Sequence, residues 1–218
     1  MPEVILGEGK SVDHLMGIIR ALHERGLGAL ISRPTAPQLR ALRRLPSGSR
    51  RHPAPRILAG GRLVRIAGPL GPRYRRGLVA LLTAGTSDVP LAEESAAVLR
   101  ELGLRVVRQY DVGVAGLHRL LSAVHRLEAR RPEAYLVFAG REGALPTVVA
   151  GLVRAPVVGV PTSTGYGRGG GGEAALNAML QSCAPLAVVN IDAAVPAALV
   201  TAQHFIERGP RPARRVRS

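Results

Sequence analysis

A chain of 218 residues, 46% of them hydrophobic, is long enough to bury a sizeable core. Its four Tyr, two Phe and no Trp exclude a large stacking platform for single-stranded nucleic acid, and its one Cys excludes an internal disulfide framework. The formal charge of +15 is unevenly spread: residues 1–76 carry 15 basic against 4 acidic side chains, residues 77–205 carry 10 of each, and residues 206–218 carry 5 against 1.

A basic first segment has three readings. It is a nucleic-acid surface, or the drift of an arginine-rich composition (29 Arg to one Lys), or a set of arginines for the phosphates of a small substrate. The composition favours drift, and no nucleic-acid partner is expected. Met1-Pro2-Glu3 runs straight into Val4-Ile5-Leu6, with no basic leader and no long apolar stretch. No secretion signal or membrane span is expected, and a reducing cytoplasm suits the lone thiol.

In chain order, Val4–Leu6 predicts a short strand. Val12, Leu15, Met16, Ile19 and Leu22 recur at the helical period and predict a helix over 11–25, with Ser11 as N-cap and Gly26 as stop. A strand over 29–31, a helix over 37–45 and a hairpin of 56–59 with 63–67 around Gly60-Gly61 follow. Residues 68–77, rich in Gly, Pro and Arg, read as a linker. Residues 1–76 thus make a small basic α/β unit with its linker.

From there the rhythm is regular. Strands are predicted at 78–82, 104–107, 135–139, 157–160 and 187–191, and helices at 90–102, 117–130, 145–153, 173–181 and 193–207. Five strands alternating with five helices imply a three-layer α/β domain over 77–207, with a parallel sheet covered on both faces. The arginine-rich end, 208–218, is expected to trail off disordered.

In an open parallel sheet, loops at the strand ends converge on a ligand. Five polar, glycine-containing segments are candidates for that edge. Thr86-Ser87-Asp88 precedes a helix, where hydroxyls and N–H groups suit phosphate and Asp88 suits ribose hydroxyls; plain N-capping is the alternative. His118-Arg119 opens the next helix. Arg141-Glu142 lies between Gly140 and Gly143, a place where a charged pair is rarely packing. Thr162, Ser163, Gly165, Tyr166 and Gly167 follow the fourth strand of this domain. Cys183 stands in the fifth segment, read either as a buried inert thiol or as a nucleophile facing the same pocket beside Glu142.

Two motif matches are rejected. Gly9-Lys10-Ser11 lacks the upstream glycine of a phosphate-binding P-loop, since that position is Val4. Gly165-Tyr166-Gly167-Arg168-Gly169-Gly170 matches a dinucleotide fingerprint in letters, but it follows the fourth strand rather than the first. No His, Cys or carboxylate set has zinc-ligand spacing.

Taken together, these segments resemble the LarB family of nickel-pincer nucleotide cofactor biosynthesis. The resemblance rests on Thr83-Ala84-Gly85-Thr86-Ser87-Asp88, on Tyr110-Asp111-Val112-Gly113-Val114-Ala115-Gly116-Leu117-His118-Arg119, on Glu142-Gly143-Ala144-Leu145-Pro146, on Val160-Pro161-Thr162-Ser163, on Gly165-Tyr166-Gly167, and on Ser182-Cys183-Ala184-Pro185 with Asn190-Ile191-Asp192. The same half is similar, more distantly, to the purine-pathway mutase PurE. It departs from PurE at Ala144, where the mutase has His, and at Cys183, where the mutase has no Cys.

The resemblance implies a flavodoxin-like, PurE-like sheet. It also implies an enzyme that carboxylates the pyridinium ring of nicotinic acid adenine dinucleotide and hydrolyses its phosphoanhydride. In that reading Cys183 is the nucleophile and Glu142 the catalytic carboxylate. Thr86, Ser87, Asp88, His118, Arg119, Gly140, Arg141, Gly143, Thr162, Ser163, Gly165, Tyr166 and Gly167 bind substrate. Carbon dioxide or bicarbonate is co-substrate, magnesium assists, its ligands being unassigned, and the chain forms an octamer-like homo-oligomer. A purine ribonucleotide mutase and a non-catalytic nucleotide-binding module are the alternatives.

Overall fold

The computed structural model describes residues 3–45 and 54–206, so the expected disordered tail and residue 207 of the last predicted helix lie outside the described residues, and that helix already ends at Gln203. The first unit contains β1 (Val4–Leu6), α1 (Val12–Glu24), β2 (Ala29–Ser32), α2 (Ala36–Arg43), β3 (Arg56–Leu58) and β4 (Leu63–Ile66). Its sheet runs β1-β2-β4-β3, with β1 parallel to β2 and β4 antiparallel to both β2 and β3. Ser11 caps α1 by accepting the His14 N–H at 3.1 Å. Helix α2 starts a residue earlier than its apolar period suggests, because Thr35 and Gln38 form a reciprocal capping box.

The second unit follows the βα rhythm: β5 (Leu78–Thr83), α3 (Val89–Glu101), β6 (Arg105–Gln109), α4 (Leu117–Glu128), β7 (Ala134–Ala139), α5 (Ala144–Leu152), β8 (Val157–Pro161), α6 (Glu173–Leu180), β9 (Ala187–Val188) and α7 (Ala194–Gln203). All four strand pairs are parallel, in the order β6-β5-β7-β8-β9. This is the flavodoxin-type arrangement, whose ligand crevice lies beyond the carboxyl ends of the strands.

Side-chain alternation sorts the core into two layers. Leu78, Ala80 and Leu82 of β5 and Tyr135, Val137 and Ala139 of β7 face α4, α5 and α6. Val79 and Leu81, with Ala134, Leu136 and Phe138, face α3 and α7. Full burial of each large side chain here stabilises by roughly 1.5–3 kcal/mol. The last strand is shorter than its apolar run suggests. It pairs on one side only, and the chain leaves the ladder at Asn190, where the side chain caps the Ile191 N–H at 2.8 Å.

The first unit packs on α3 by the same rule. In β2, Ala29 and Ile31 join the unit's own core with α1 and α2, whereas Leu30 points into the core shared with α3. Leu63 of β4 does the same.

Arginines of the basic segment meet acids of α3 across this junction. Arg62 Nε lies 3.1 Å from Glu94, and Arg56 and Arg65 lie 3.1 and 3.3 Å from Glu101. Glu94 is fully buried and also accepts the Ser32 hydroxyl at 2.6 Å. Part of the charge asymmetry between the two halves is therefore an internal match.

Candidate active site

Loops after β5, β6, β7 and β8 close on a pocket of about 230 Å³ at the carboxyl edge of the sheet. Asp88 organises it. The residue is 2% exposed and closes the one-turn 3₁₀ helix Thr86–Asp88 ahead of α3. Its Oδ2 accepts the Gly85 N–H at 3.0 Å, and its Oδ1 accepts the hydroxyls of Thr162 at 2.6 Å and Thr164 at 2.8 Å. Three of about four acceptor positions of a carboxylate are thus used by the protein. Asp88 first serves to lock the β5 loop to the β8 loop, and the ribose role read from sequence retains one acceptor position.

The threonines reach Asp88 only because residue 140 has no side chain. A Cβ on Gly140 would sit 2.4 Å from Thr162 Oγ1 and 2.5 Å from Thr164 Oγ1. Gly143 has φ +66 and would clash with the backbone of Ala175, so the turn between β7 and α5 also needs glycine there. Between these two glycines, Arg141 and Glu142 are forced outward. Arg141 lies over the Tyr166 ring, 4.4 Å from its centre. Glu142 lines the pocket and forms no hydrogen bond or ion pair with the described residues.

The structure brings Ser87, Asp88, Gly140, Arg141, Glu142 and Tyr166 together around this pocket. Thr86 is exposed on the same 3₁₀ turn. His118 and Arg119 are exposed in the first turn of α4, outside the pocket wall, and Arg119 Nη1 pairs with Asp111 Oδ2 at 2.9 Å. Thr162 is buried beneath the site, and Ser163 turns away to Asp192, to which its N–H and hydroxyl donate at 2.9 and 2.6 Å. Thr164, one residue further, is the member of this run that lines the pocket. Gly165 and Gly167 belong to the glycine loop behind Tyr166 and do not line it.

Sequence reading missed Thr164 and the loop residues Gly113, Val114 and Ala115, which form the wall after β6. Strand alternation past the end of β8 is the signal that separates Thr164 from Ser163.

Cys183 corrects the sequence reading. The sequence sets it in the pocket beside Glu142, and the structure places it at the opposite edge of the sheet. The reason is topological: α6 carries the chain back across the sheet, so a segment between α6 and β9 precedes its strand instead of following one. The ladder pairs Ala187 with Val158, at the start of β8. Ala184 and Leu186 pack on the same core layer as Val153 and Ala155, which lead into that strand start. The sulfur is not sealed in the core, however, because Cys183 is exposed.

Two larger cavities, of about 480 and 550 Å³, lie where the first unit meets the β9–α7 loop. In the first, the buried carboxylate Glu94 is already held by Ser32 and Arg62, and in the second Glu8 faces Arg33 and Asp192 is held by Ser163, whereas the smaller pocket presents in Glu142 a carboxylate without a partner. Chemistry therefore favours the smaller one. Among the described residues no three His, Cys, Asp or Glu side chains converge, so these side chains build no resident metal cage. No helix among the described residues is long and apolar enough to cross a membrane.

Fold and site together define a PurE-like α/β protein of the carboxylase and mutase class. Residues 78–217 match the AIR carboxylase family, and residues 1–61 match the LarB/PurE-like N-terminal domain. The chain belongs to the AIR carboxylase family and has a LarB-like architecture.

An uncharacterized protein of Methanocaldococcus jannaschii is 38% identical over 197 residues, covering 88% of this chain and 74% of that protein. The N5-carboxyaminoimidazole ribonucleotide mutase of Pyrococcus horikoshii is 31% identical over 134 residues, covering 59% of this chain and 72% of the mutase. The crystal structure of Treponema denticola PurE superposes with a TM-score of 0.50 at 26% identity, covering 60% of this chain and 80% of PurE.

Proposed function

We propose that this enzyme carboxylates the pyridinium ring of nicotinic acid adenine dinucleotide and hydrolyses its phosphoanhydride. The products are AMP and pyridinium-3,5-biscarboxylic acid mononucleotide, the latter a precursor of a nickel-pincer cofactor. The observation that carries the reading is Glu142, an unpaired carboxylate in the strand-end pocket of a chain that joins a LarB/PurE-like N-terminal domain to a PurE-like domain. The position that holds His in the mutase pattern is Ala144 here, the first residue of α5.

The chemistry assigns roles. A pyridinium carbon is electrophilic and does not attack carbon dioxide. Addition of a Cys183 thiolate, brought to the pocket by a neighbouring copy of the chain, converts the ring into a nucleophilic enamine, which forms the new carbon–carbon bond to carbon dioxide. Glu142 then takes the proton from the carboxylated carbon, the carbon–sulfur bond breaks, and the ring regains aromaticity. Water cleaves the phosphoanhydride to give AMP and the mononucleotide. In this reading Ser87, which lines the pocket on the 3₁₀ turn before α3, takes the phosphate end, and Arg119, outside the pocket wall and paired with Asp111, reaches the same phosphate.

The test is mass spectrometry of products after incubation with the dinucleotide, bicarbonate and magnesium. A mononucleotide heavier by one carboxyl, together with AMP, is the expected result. Turnover of N5-carboxyaminoimidazole ribonucleotide with none of the dinucleotide would replace this reading with the mutase.

A further inference from the structure

The lining of the strand-end pocket comes from the second unit, and the two cavities at the junction of the units share one contact. Arg33, the first residue after β2, donates from Nη2 to the backbone carbonyl of Asp192, in the loop between β9 and α7. We infer that Arg33 is a positioning residue for the strand-end pocket: it fixes Asp192, and through Asp192 the loop after β8 that supplies part of the pocket's floor and wall. Its effect on turnover rests on the reaction proposed above, whereas the link itself stands on contacts alone.

Each end of the contact has a backbone conformation that L residues rarely adopt. Arg33 has φ +48 and Asp192 has φ +56. Left-handed backbone is costly, and Arg lacks the short polar side chain with which Asp offsets that cost by local hydrogen bonding. Both turns are pinned from behind. The Arg33 N–H donates to Arg62 O at 2.7 Å, and the Asp192 N–H donates to Pro161 O at 2.9 Å. Gly7 backs the first turn so closely that a Cβ there would meet Pro34 Cα at 2.8 Å and Arg33 O at 2.9 Å. Two strained turns therefore meet from fixed supports, one in each unit.

From Asp192 the link runs into the pocket. The carboxylate accepts the N–H of Ser163 at 2.9 Å and its hydroxyl at 2.6 Å. Ser163 stands between Thr162 and Thr164, whose hydroxyls donate to Asp88. Thr164 and Tyr166, on the same loop, line the pocket. Gly172 closes that loop between the same segments: a Cβ there would meet Ile191 Cγ2 at 2.7 Å and Thr162 O at 3.0 Å. A shift of Asp192 thus reaches Ser163 directly, and Ser163 carries its two threonine neighbours with it.

Little else does the work of this contact. The cavities of about 480 and 550 Å³ are both lined by Arg33 and Asp192, so packing around the pair is sparse. The other partners of the guanidinium are looser, with Glu8 at 3.8 Å and Glu94 at 4.0 Å, beyond hydrogen-bond distance. Arg62 serves the same junction through Glu94 at 3.1 Å and forms no hydrogen bond or ion pair with Asp192. It is the matched control.

Amide hydrogen exchange reads the link without ligand or activity. The Ser163 N–H, bonded to Asp192, is the reporter. Arg33→Met should speed its exchange about tenfold, as local opening of the loop becomes easier. Arg33→Lys keeps a donor and should restore most of the protection. Arg62→Met should leave Ser163 as in wild type at a similar loss of overall stability. Exchange unchanged in Arg33→Met, or sped equally by Arg62→Met, overturns the link.

Binding is the second readout. Asp192→Gly relieves the positive φ, keeps the carbonyl that Arg33 uses and removes only the carboxylate. Calorimetry with nicotinic acid mononucleotide should show affinity about tenfold weaker in both Arg33→Met and Asp192→Gly, because a small misplacement of the pocket wall suffices. The kcat/KM for the dinucleotide should fall with it in Arg33→Met, recover in Arg33→Lys and hold in Arg62→Met. Wild-type affinity in Arg33→Met and Asp192→Gly would confine Arg33 to joining the units and overturn the positioning role. If wild type neither binds the mononucleotide nor turns over the dinucleotide, the reaction assignment falls, while exchange at Ser163 still decides the link.

Discussion

The hydroxyl of Thr162 donates to Asp88 Oδ1 across 2.6 Å, joining the loop after β8 to the loop after β5 inside the buried floor of the pocket. Asp88→Ala would leave the hydroxyls of Thr162 and Thr164 and the Gly85 N–H without their acceptor. We expect a loss of about 2–4 kcal/mol in urea unfolding. Asp88→Asn should recover roughly half, since an amide oxygen still accepts from the threonines while its NH₂ faces the Gly85 N–H. Equal stability of Asp88→Ala and wild type would show that the floor is not held by this carboxylate.

Gly140→Ala tests the same floor from above. The added methyl meets two threonine oxygens at 2.4 and 2.5 Å, so the loop must move. A cost of about 1–3 kcal/mol is expected from overpacking, with a larger effect on activity than on the fold. A fully active Gly140→Ala enzyme would contradict the close approach.

Glu94 binds the two units. Its removal in Glu94→Ala strips Arg62 and Ser32 of a fully buried partner. Arg62 keeps about a third of its side chain in solvent, so the loss is that of buried hydrogen bonds, about 1–3 kcal/mol, measurable by chemical denaturation. Replacement of exposed Glu8, 3.8 Å from Arg33, should change stability by less than about 1 kcal/mol.

Two tyrosines set an alkaline limit. Burial first, and then hydrogen bonds to Glu93 and Glu128, push the hydroxyls of Tyr110 and Tyr135 above their ordinary value of 10. The folded state therefore holds these protons more tightly than the unfolded chain. The stability they contribute is complete below about pH 10 and is lost as pH rises toward the folded values. Thermal melts should decline above about pH 10, and Tyr110→Phe should make that decline shallower. An unaltered slope would remove Tyr110 from the account.

Arg119→Ala tests the phosphate end. A charge-assisted phosphate contact predicts binding of nicotinic acid mononucleotide weaker by about 1.5–3 kcal/mol in calorimetry. Unchanged affinity would leave Arg119 with only its contact to Asp111.

The sheet was legible in the sequence because its strands are short apolar runs between helices of clear period. The core positions of β5 and β7 follow from alternation alone. Glu142 was legible because charged residues between glycines at a strand end have little reason to be there for packing. Asp88 was found, but its burial under two threonines was not: hydrogen bonds between residues 74 and 76 positions apart leave no local pattern. Cys183 was misplaced because proximity to a strand in sequence does not say which end of the strand a loop serves. Chain direction supplies that, and α6 reverses it.

Residues 68–77 have the composition of a loose connector, yet the structure fastens them. Tyr74 bridges to Ile206, the Arg75 N–H donates to Phe205 O at 2.8 Å, and Gly77 lies so close under the Phe205 ring that a Cβ would meet it at 2.1 Å. Swinging the first unit outward would also bare Leu30 and Leu63 and strand Glu94 without its arginine. Hinge opening between the units is therefore costly. The glycine loop beside Tyr166 is built the other way: Gly167 and Gly171 take positive φ with nothing within 4 Å of where a Cβ would stand.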